Sequence, residues 1–324
     1  MDTPVLSIRD LSVQIPTRHG VVRPVDDVSY DIAAGEILGV VGESGAGKSM
    51  AGNAVIGLLT PPAHISKGEI WLNGRRIDQL SNEAMRRLRG KEIGMVFQDP
   101  LTSLNPLLRI GDQLMETMLT HLPITSAEAQ KRAVAALDEV GIPGASQRVN
   151  SYPHEFSGGM RQRVVIALAL CAEPSLLIAD EPTTALDVSV QAQIIALLKR
   201  LCRERGTAVM LITHDMGVIA EATDRVAVMY AGRLAELGPT RDVLTEPQHP
   251  YTHGLMASTP GASLGKSRLH QIPGSMPRLD AVADGCAFHP RCPYATDKCR
   301  ELPEPHINTG RAACWYPLLH EKVL

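Results

Sequence analysis

The sequence of 324 residues lacks a long apolar run, an excess of positive charge and an abundance of aromatic side chains. Its longest uninterrupted apolar stretch, Val164–Ala172, falls well short of the roughly 20 residues that a membrane-spanning helix needs. Lysine and arginine number 32 against 35 aspartate and glutamate residues, a net charge of -3 that makes nucleic acid an unexpected partner. The first residues lack the basic and apolar regions of a secretory signal, so we expect a cytosolic, reducing environment.

Cysteine is also scarce, with six residues, and a reducing environment disfavours disulfide bonds between them. Cys171 and Cys202 stand alone in apolar segments. The other four crowd together near the C terminus: Cys286, Cys292, Cys299 and Cys314. Four cysteines in a short polar segment favour a metal or cluster site over unconnected thiols.

The spacing of apolar residues predicts a mixed α/β fold. Strands alternate with helices, which indicates a mainly parallel sheet, and residues 99–172 show helical spacing without a convincing strand. We therefore expect an α/β core with an inserted α-helical lobe. From about Pro247 onward the sequence shows little periodicity, and the residues after about 260 resemble an appended module, which predicts domains 1–259 and 260–324, the second a small Cys-rich C-terminal module. The main predicted elements are strands at 36–41, 175–179 and 207–213, helices at 48–59, 110–121, 126–140 and 188–205, and a hairpin at 226–237.

One glycine-rich octet fits the phosphate-loop pattern G-x-x-x-x-G-K-S: Gly42-Glu43-Ser44-Gly45-Ala46-Gly47-Lys48-Ser49. It stands between a predicted strand and a predicted helix, which is the context that this pattern requires. The glycines let backbone N–H groups turn toward phosphates, and the N terminus of the helix favours negative charge. Lys48 would reach the β- and γ-phosphates, and Ser49 would offer a hydroxyl group to Mg²⁺.

Two carboxylates follow an apolar strand at Leu176–Ala179. Asp180 and Glu181 would therefore lie at the C-terminal edge of the sheet, where parallel sheets bind their ligands. There Asp180 would hold Mg²⁺ through water, and Glu181 would act as the general base toward the attacking water.

A third motif narrows the class of nucleotide-binding protein that the sequence indicates. Ser157-Gly158-Gly159-Met160-Arg161-Gln162 places a capping serine and two glycines at the start of an apolar helix. With Phe156 before it, this segment resembles the signature motif L-S-G-G-Q of ABC transporter nucleotide-binding subunits. The resemblance implies a P-loop NTPase core of the ABC ATPase type, in which the serine and the two glycines contact ATP held by a second subunit.

The same resemblance implies roles for three further segments. Gln98 resembles the Q-loop glutamine, which contacts ATP and Mg²⁺, and His214 resembles the switch histidine, a catalytic residue that touches the γ-phosphate. Ala185-Leu186-Asp187 resembles the D-loop, whose Asp187 belongs to the partner subunit's ATP site. The implied Mg²⁺ ligands are Ser49, Gln98 and Asp180.

Adenine recognition departs from the ABC pattern. Members usually stack adenine on an aromatic residue before the phosphate loop, but no Phe, Tyr or Trp occurs between Met1 and Ser29. An apolar contact from Ile15 or Val22 would have to replace it, so the preference for ATP over GTP stays open.

Two further stretches, Phe97–Pro106 and His249–Thr252, resemble the ATPases of dipeptide and oligopeptide importers. With the cysteine-rich tail, this resemblance covers nearly the whole chain. It implies ATP hydrolysis that drives peptide uptake, with the helical lobe gripping a permease. The implied partners are a second, related ATPase subunit, two transmembrane permease subunits and an external solute-binding protein, with this chain peripheral at the cytoplasmic face of the inner membrane.

Three alternatives differ in function class. The first is an importer ATPase for nickel or another solute. The second is a soluble ABC ATPase outside transport, which normally carries a long coiled-coil insertion or two cassettes, and neither is visible here. The third is a redox enzyme built on the tail cysteines, for which no flavin or nicotinamide motif is found.

The resemblance to importer ATPases also implies a ligand for the four C-terminal cysteines. Some importer ATPases of this kind carry a [4Fe–4S] cluster at such a tail, which implies the four C-terminal cysteines as its ligands. Zinc stays an alternative, although the C-x2–4-C spacing typical of structural zinc sites is absent. His289 and His306 are nearby alternative ligands.

Overall fold

The structure is a computed structural model that describes residues 3–18, 20–99, 103–184, 186–259, 271–301 and 311–318. These residues form the strands β1 Leu6–Thr17, β2 Gly20–Ile32, β3 Ile37–Val41, β4 His64–Leu72, β5 Arg75–Arg76, β6 Ile93–Val96, β7 Leu176–Asp180, β8 Ala208–Ile212, β9 Arg225–Tyr230 and β10 Arg233–Pro239. They also form the helices α1 Lys48–Val55, α2 Asn82–Leu88, α3 Ile110–His121, α4 Ser126–Glu139, α5 Ala145–Arg148, α6 Gly158–Leu170, α7 Val188–Arg205, α8 Met216–Ala222, α9 Thr240–Thr245 and α10 Pro250–Ala257. None of the described helices is both long and apolar enough to cross a lipid bilayer.

The chain folds into two compact units, each built from separate segments. Unit 1 comprises the segment up to Leu6, Ile32–Ile37 and Trp71–Ile212. Unit 2 comprises Ser7–Asp31, Leu38–Ile70 and the segment from Thr213 onward.

Unit 1 contains three parallel strands in the order β8-β7-β6. All residues of β7 and β8 are buried, as expected for a parallel sheet that is covered on both faces. The helix α7 begins after its N-cap Asp187 and ends at Gly206, whose left-handed φ of 66° stops the helix. The described part of 99–172 contains helices and no strand, as predicted for the helical lobe.

Unit 2 contains three strands in the order β10-β9-β3, with β9 antiparallel to β10 and parallel to β3. The predicted hairpin forms between β9 and β10, and its turn uses positive φ at Ala231 and Gly232. A second sheet has the order β2-β1-β4. The apolar core joins Val41 to Tyr230, Tyr251 and Phe288, so C-terminal residues pack in the same core as the strand that precedes residue 42.

Some element boundaries differ from the sequence prediction. The prediction of a helix over 48–59 was wrong at its end, because α1 stops at Val55 and Gly57 takes a left-handed φ of 68°. The helix α10 forms where the sequence showed little periodicity. Its N terminus is defined instead by Pro250 in the first turn and by His249, whose ring accepts a hydrogen bond from the Tyr251 N–H.

Candidate nucleotide-binding site

Residues 42–49 form a loop between β3 and α1 in unit 2, so the predicted strand and helix flank the glycine-rich octet. Gly42 has a φ of 152°, and a Cβ atom there would collide with the Met229 carbonyl oxygen. Gly47 has a φ of 100°, and its Cβ would collide with the Pro24 carbonyl oxygen. Both positions therefore require glycine, for conformation and for space.

Lys48 lies at the start of α1, where its ammonium group reaches back over the loop. The residue is 7% exposed. Its Nζ donates to the carbonyl oxygens of Gly42 at 2.9 Å and of Glu43 at 3.1 Å. Ser44, Gly45 and Ser49 are exposed. A buried ammonium group beside a glycine-rich loop at a helix N terminus places positive charge where a phosphate group binds.

Two side chains from later in the sequence hold this loop at Glu43. The Tyr251 hydroxyl oxygen accepts a hydrogen bond from the Glu43 N–H at 2.9 Å. Arg291 donates to both carboxylate oxygens of Glu43, at 3.1 and 3.2 Å. Neither contact could be predicted from the sequence, because the two residues lie 208 and 248 positions away along the chain. Tyr251 belongs to the stretch that resembles importer ATPases, but that resemblance does not indicate a contact with the phosphate loop.

His214 follows the strand β8 and is exposed. The preceding residue, Thr213, donates its N–H to the Val40 carbonyl oxygen at 3.2 Å. The next residue, Asp215, is the N-cap of α8 and accepts a hydrogen bond from the Gly217 N–H at 2.7 Å. The backbone on both sides of His214 is therefore fixed within unit 2.

In unit 1, Gln98 and Glu181 lie together, and the Glu181 carboxylate is held by two donors. Its Oε2 accepts from Gln98 Nε2 at 3.1 Å and from the Thr184 hydroxyl at 2.8 Å. Glu181 has a φ of 48°, and its N–H donates to the Ile212 carbonyl oxygen at 2.8 Å. Such a left-handed φ at a residue other than glycine is typical of functional positions. Asp180, at the end of β7, is 8% exposed.

The segment Ser157–Gly159 forms the N terminus of α6, also in unit 1. The Ser157 side chain accepts a hydrogen bond from the Met160 N–H, and Ser157 and Gly158 are exposed. A Cβ on Gly159 would lie 2.7 Å from Val190 in α7. Asp187, the N-cap of α7, accepts from Ser189 and Val190, and these hydrogen bonds lower the pKa of its carboxyl group. Ala185, within the predicted D-loop, lies outside the described residues.

The four C-terminal cysteines line one cavity of about 20 Å³ in unit 2, together with His289 and Trp315. Burial raises the pKa of Cys314 to about 11, and the neighbouring cysteines add to this rise. Cys171 and Cys202 lie elsewhere in unit 1, where their thiols donate to backbone carbonyl oxygens. His306 lies outside the described residues.

The cysteines around this cavity are the predicted ligands of a metal site. Within the described segments, no group of three or more His, Cys, Asp or Glu side chains forms a site that could hold a metal ion. The arrangement of the described side chains therefore does not by itself support either the predicted [4Fe–4S] cluster or its alternative, zinc.

Two family profiles match the chain. The profile "ABC transporter" matches residues 25–184, which include the phosphate loop, Gln98, Ser157–Gly159, Asp180 and Glu181. The profile "Oligopeptide/dipeptide transporter, C-terminal region" matches residues 235–299. The second match includes Tyr251 and Arg291, the two residues that hold the phosphate loop.

Curated proteins and solved structures agree with these matches. The oligopeptide transport ATP-binding protein OppD of Salmonella typhimurium is 48% identical over 316 residues, which are 97% of this chain and 94% of OppD. The dipeptide transport ATP-binding protein DppD of Bacillus subtilis is 49% identical over 315 residues, 96% of this chain and 94% of DppD. The dimeric ATP-binding cassette MJ0796, solved in a post-hydrolysis state bound to ADP and Pi, matches with a TM-score of 0.65 and 27% identity, over 73% of this chain and 99% of its own. The chain therefore belongs to the ATP-binding proteins of ABC transporters, in the oligopeptide/dipeptide transporter family.

Proposed function

We propose that this chain is the ATP-hydrolysing subunit of an ABC importer that takes up dipeptides or oligopeptides. The observation that carries the hydrolytic role is the Glu181 carboxylate, which Gln98 and Thr184 orient at the end of a buried strand. The substrate class is supported by the similarity to OppD and DppD, which are oligopeptide and dipeptide transport ATP-binding proteins. Nickel or another small solute is the alternative cargo.

Residues 42–49 bind the phosphates of ATP in this proposal. Lys48 exchanges its bonds to the loop carbonyls for bonds to the β- and γ-phosphates. Ser49, Gln98 and Asp180 carry hydroxyl, amide and carboxylate oxygens, which are the hard donors that Mg²⁺ prefers. When bound, Mg²⁺ supplies charge neutralisation at the β- and γ-phosphates.

Hydrolysis then needs a base for water and a contact to the γ-phosphate. Glu181 is the general base, and the hydrogen bonds from Gln98 and Thr184 keep its carboxylate in one orientation. His214 supplies the contact to the γ-phosphate, and the fixed backbone on either side of it supports this role.

A second ATPase subunit completes each ATP site. Ser157, Gly158, Gly159 and Asp187 contact the nucleotide of the partner subunit, and the exposure of Ser157 and Gly158 supports this role. The other partners are two permease subunits, gripped by the helical lobe, and an external solute-binding protein. This assembly places the chain on the cytoplasmic face of the inner membrane as a peripheral subunit.

We also propose the division of the chain into an ATPase domain, 1–259, and a Cys-rich module, 260–324. Cys286, Cys292, Cys299 and Cys314 hold a [4Fe–4S] cluster in that module, with a structural or docking role. The proposal is motivated by two facts: the four cysteines line one cavity, and cysteine thiolates are the ligands of iron–sulfur clusters.

The cluster assignment is tested on protein purified without oxygen. We expect a brown protein with about four irons and four sulfides per chain, and Cys292→Ser should bleach the colour while ATP binding at residues 42–49 persists. Stoichiometric zinc without iron would replace the cluster with a zinc site, and four metal-free thiols would end both versions.

The transport function is tested on the assembled transporter. The chain is produced together with its permease subunits and reconstituted in vesicles with the solute-binding protein. We expect ATP-dependent uptake of labelled dipeptides or longer oligopeptides. Uptake of nickel without peptide would change the cargo, and a chain that hydrolyses ATP fully without any membrane partner would contradict the transport role.

A further inference from the structure

The guanidinium group of Arg291, from the C-terminal part of unit 2, is fixed by its surroundings. Its Nε donates to the Pro273 carbonyl oxygen at 2.8 Å, and Nη1 lies 3.3 Å from the Tyr230 hydroxyl oxygen. The guanidinium carbon is 5.8 and 5.9 Å from the ring centres of Tyr230 and Phe288. The Arg291 side chain is only 9% exposed. These contacts orient the planar group independently of its carboxylate partner.

That partner is Glu43, the second residue of the phosphate loop. The two nitrogens of Arg291 meet the two oxygens of Glu43 at 3.1 and 3.2 Å, a bidentate pair in which the Glu43 side chain is 26% exposed. The Glu43 N–H is held by Tyr251, and its carbonyl oxygen accepts from Lys48. Glu43 therefore connects Arg291 to the lysine that faces the phosphates.

We propose that Arg291 is a positioning residue for ATP binding: it neutralises the Glu43 carboxylate and fixes the backbone at the second position of the phosphate loop. This inference rests on ATP binding at residues 42–49. If Arg291 is removed, a half-buried carboxylate stays unpaired beside the position of the triphosphate, and like charges repel. The freed carboxylate also competes with the phosphates for the ammonium group of Lys48.

The primary experiment compares the dissociation constant of a fluorescent ATP analogue, N-methylanthraniloyl-ATP, for the full chain and Arg291→Gln. We expect a rise of about tenfold, the size of one lost charge-assisted hydrogen-bonding interaction. Arg291→Lys keeps the charge without the bidentate geometry and should recover part of the affinity. In the assembled transporter, the KM for ATP should rise while kcat at saturating ATP stays within about twofold.

Arg311→Gln is the matched control. Arg311 is also a largely buried arginine of the C-terminal segment, with a side chain 20% exposed, but it bonds to the Glu246 carbonyl oxygen and to Asp242. The same substitution there should lower the thermal midpoint without changing the dissociation constant. Equal losses of affinity in both variants would show a general structural effect and overturn the positioning role.

A double-mutant cycle with Glu43→Gln decides whether Arg291 acts through Glu43. In the Glu43→Gln background, Arg291→Gln should change the dissociation constant by less than about twofold, because the carboxylate that it neutralises is gone. The same tenfold loss in both backgrounds, or no loss in either, would overturn the proposal. If Arg291→Gln does not fold, the cycle is run with Arg291→Lys: its smaller loss of affinity should disappear in the Glu43→Gln background, and an equal loss in both backgrounds, or no loss in either, would overturn the proposal. Failure of the unaltered chain to bind the analogue would contradict the proposed function instead.

Discussion

Lys48 is the side chain on which the proposed phosphate binding depends most directly, because its ammonium group is buried against the glycine-rich loop 42–49. Lys48→Ala removes a charged donor, so we expect the dissociation constant for ATP to rise about 10- to 100-fold. Lys67→Ala is the control, since Lys67 is exposed and pairs with Asp27. Both variants are titrated with the same fluorescent ATP analogue, and an unchanged affinity of Lys48→Ala would remove Lys48 from the phosphate site.

The glycines of the loop differ in what they require. Gly45 has a φ of 85°, and a Cβ there meets no atom within 4 Å, whereas a Cβ on Gly47 collides with the backbone at Pro24. Gly45→Ala should therefore cost only the strain of a left-handed residue, about 1 kcal/mol. Gly47→Ala adds the displacement of backbone, so its thermal midpoint should fall several degrees further, by roughly 2–8 °C. Equal thermal midpoints of the two variants in calorimetry would show that a Cβ atom is tolerated as well at Gly47 as at Gly45.

The sequence predicted the site residues that belong to short motifs and missed those that meet the site through the fold. Residues 42–49 could be assigned because the spacing of glycine and lysine is itself the chemical requirement. The resemblance to a family suggested Gln98, but the pairing of its amide with Glu181 needed coordinates. No local pattern indicates the contacts of Thr184, Tyr251 and Arg291, because only packing brings these side chains to their partners.

Among the elements, helices with clear end signals were predicted closely. The helix α7 matches its prediction of 188–205, because Asp187 caps its start and Gly206 ends it. The helix α4 follows the cap Thr125 and differs by one residue at its end. The helix α10 was not predicted, because eight residues are too few for periodicity to be seen against the surrounding proline and histidine.

The N terminus of α6 is the element through which we propose that the chain completes its partner's ATP site. Ser157→Ala removes an N-cap and should cost about 1 kcal/mol of stability. Thr125→Ala removes the N-cap of α4 and should cost a similar amount. ATP hydrolysis by the assembled transporter, measured below both thermal midpoints, should fall for Ser157→Ala alone. Equal rates in the two variants would exclude Ser157 from the shared site.

His249, the N-cap of α10, makes the stability of the whole protein depend on pH. Burial lowers the pKa of His249 to about 4, and its Nδ1 accepts the Tyr251 N–H at 3.0 Å as a neutral nitrogen must. The unfolded chain binds this proton more tightly, with an ordinary pKa of about 6.5. The contribution of neutral His249 to the free energy of unfolding is therefore complete above about pH 6.5. As the pH falls toward 4, this contribution is lost, by about 3 kcal/mol in total.

The neighbouring Glu236 changes stability with pH in the opposite direction. Burial raises the pKa of its carboxyl group, so the folded state takes up this proton first and offsets part of the loss. The test is therefore the thermal midpoint between pH 7 and 5. We expect it to fall for the unaltered chain and to fall less for His249→Asn, which keeps an acceptor for the Tyr251 N–H. If the thermal midpoints of the two proteins fall in parallel, a group other than His249 controls stability between pH 7 and 5.

The sequence also predicted the class of the whole fold, because alternating strands and helices leave few architectures other than a parallel α/β sheet. It did not predict that residues from the N-terminal strands to the C-terminal cysteines share unit 2. That arrangement depends on long-range contacts, such as the core that joins Val41 to Phe288. Hydrophobic periodicity records only which face of an element is buried, not which element covers it.

If Glu181 is the general base for ATP hydrolysis in a transporter subunit, Glu181→Gln should separate ATP binding from ATP hydrolysis. In the assembled transporter, the variant should bind ATP with an unchanged dissociation constant while its hydrolysis rate falls at least about 100-fold, because a general base contributes about that much. Glutamine keeps the size of the side chain and can still accept from Gln98 and Thr184, so binding is not disturbed. If the variant hydrolyses ATP and takes up peptide at the rate of the unaltered transporter, Glu181 is not the general base.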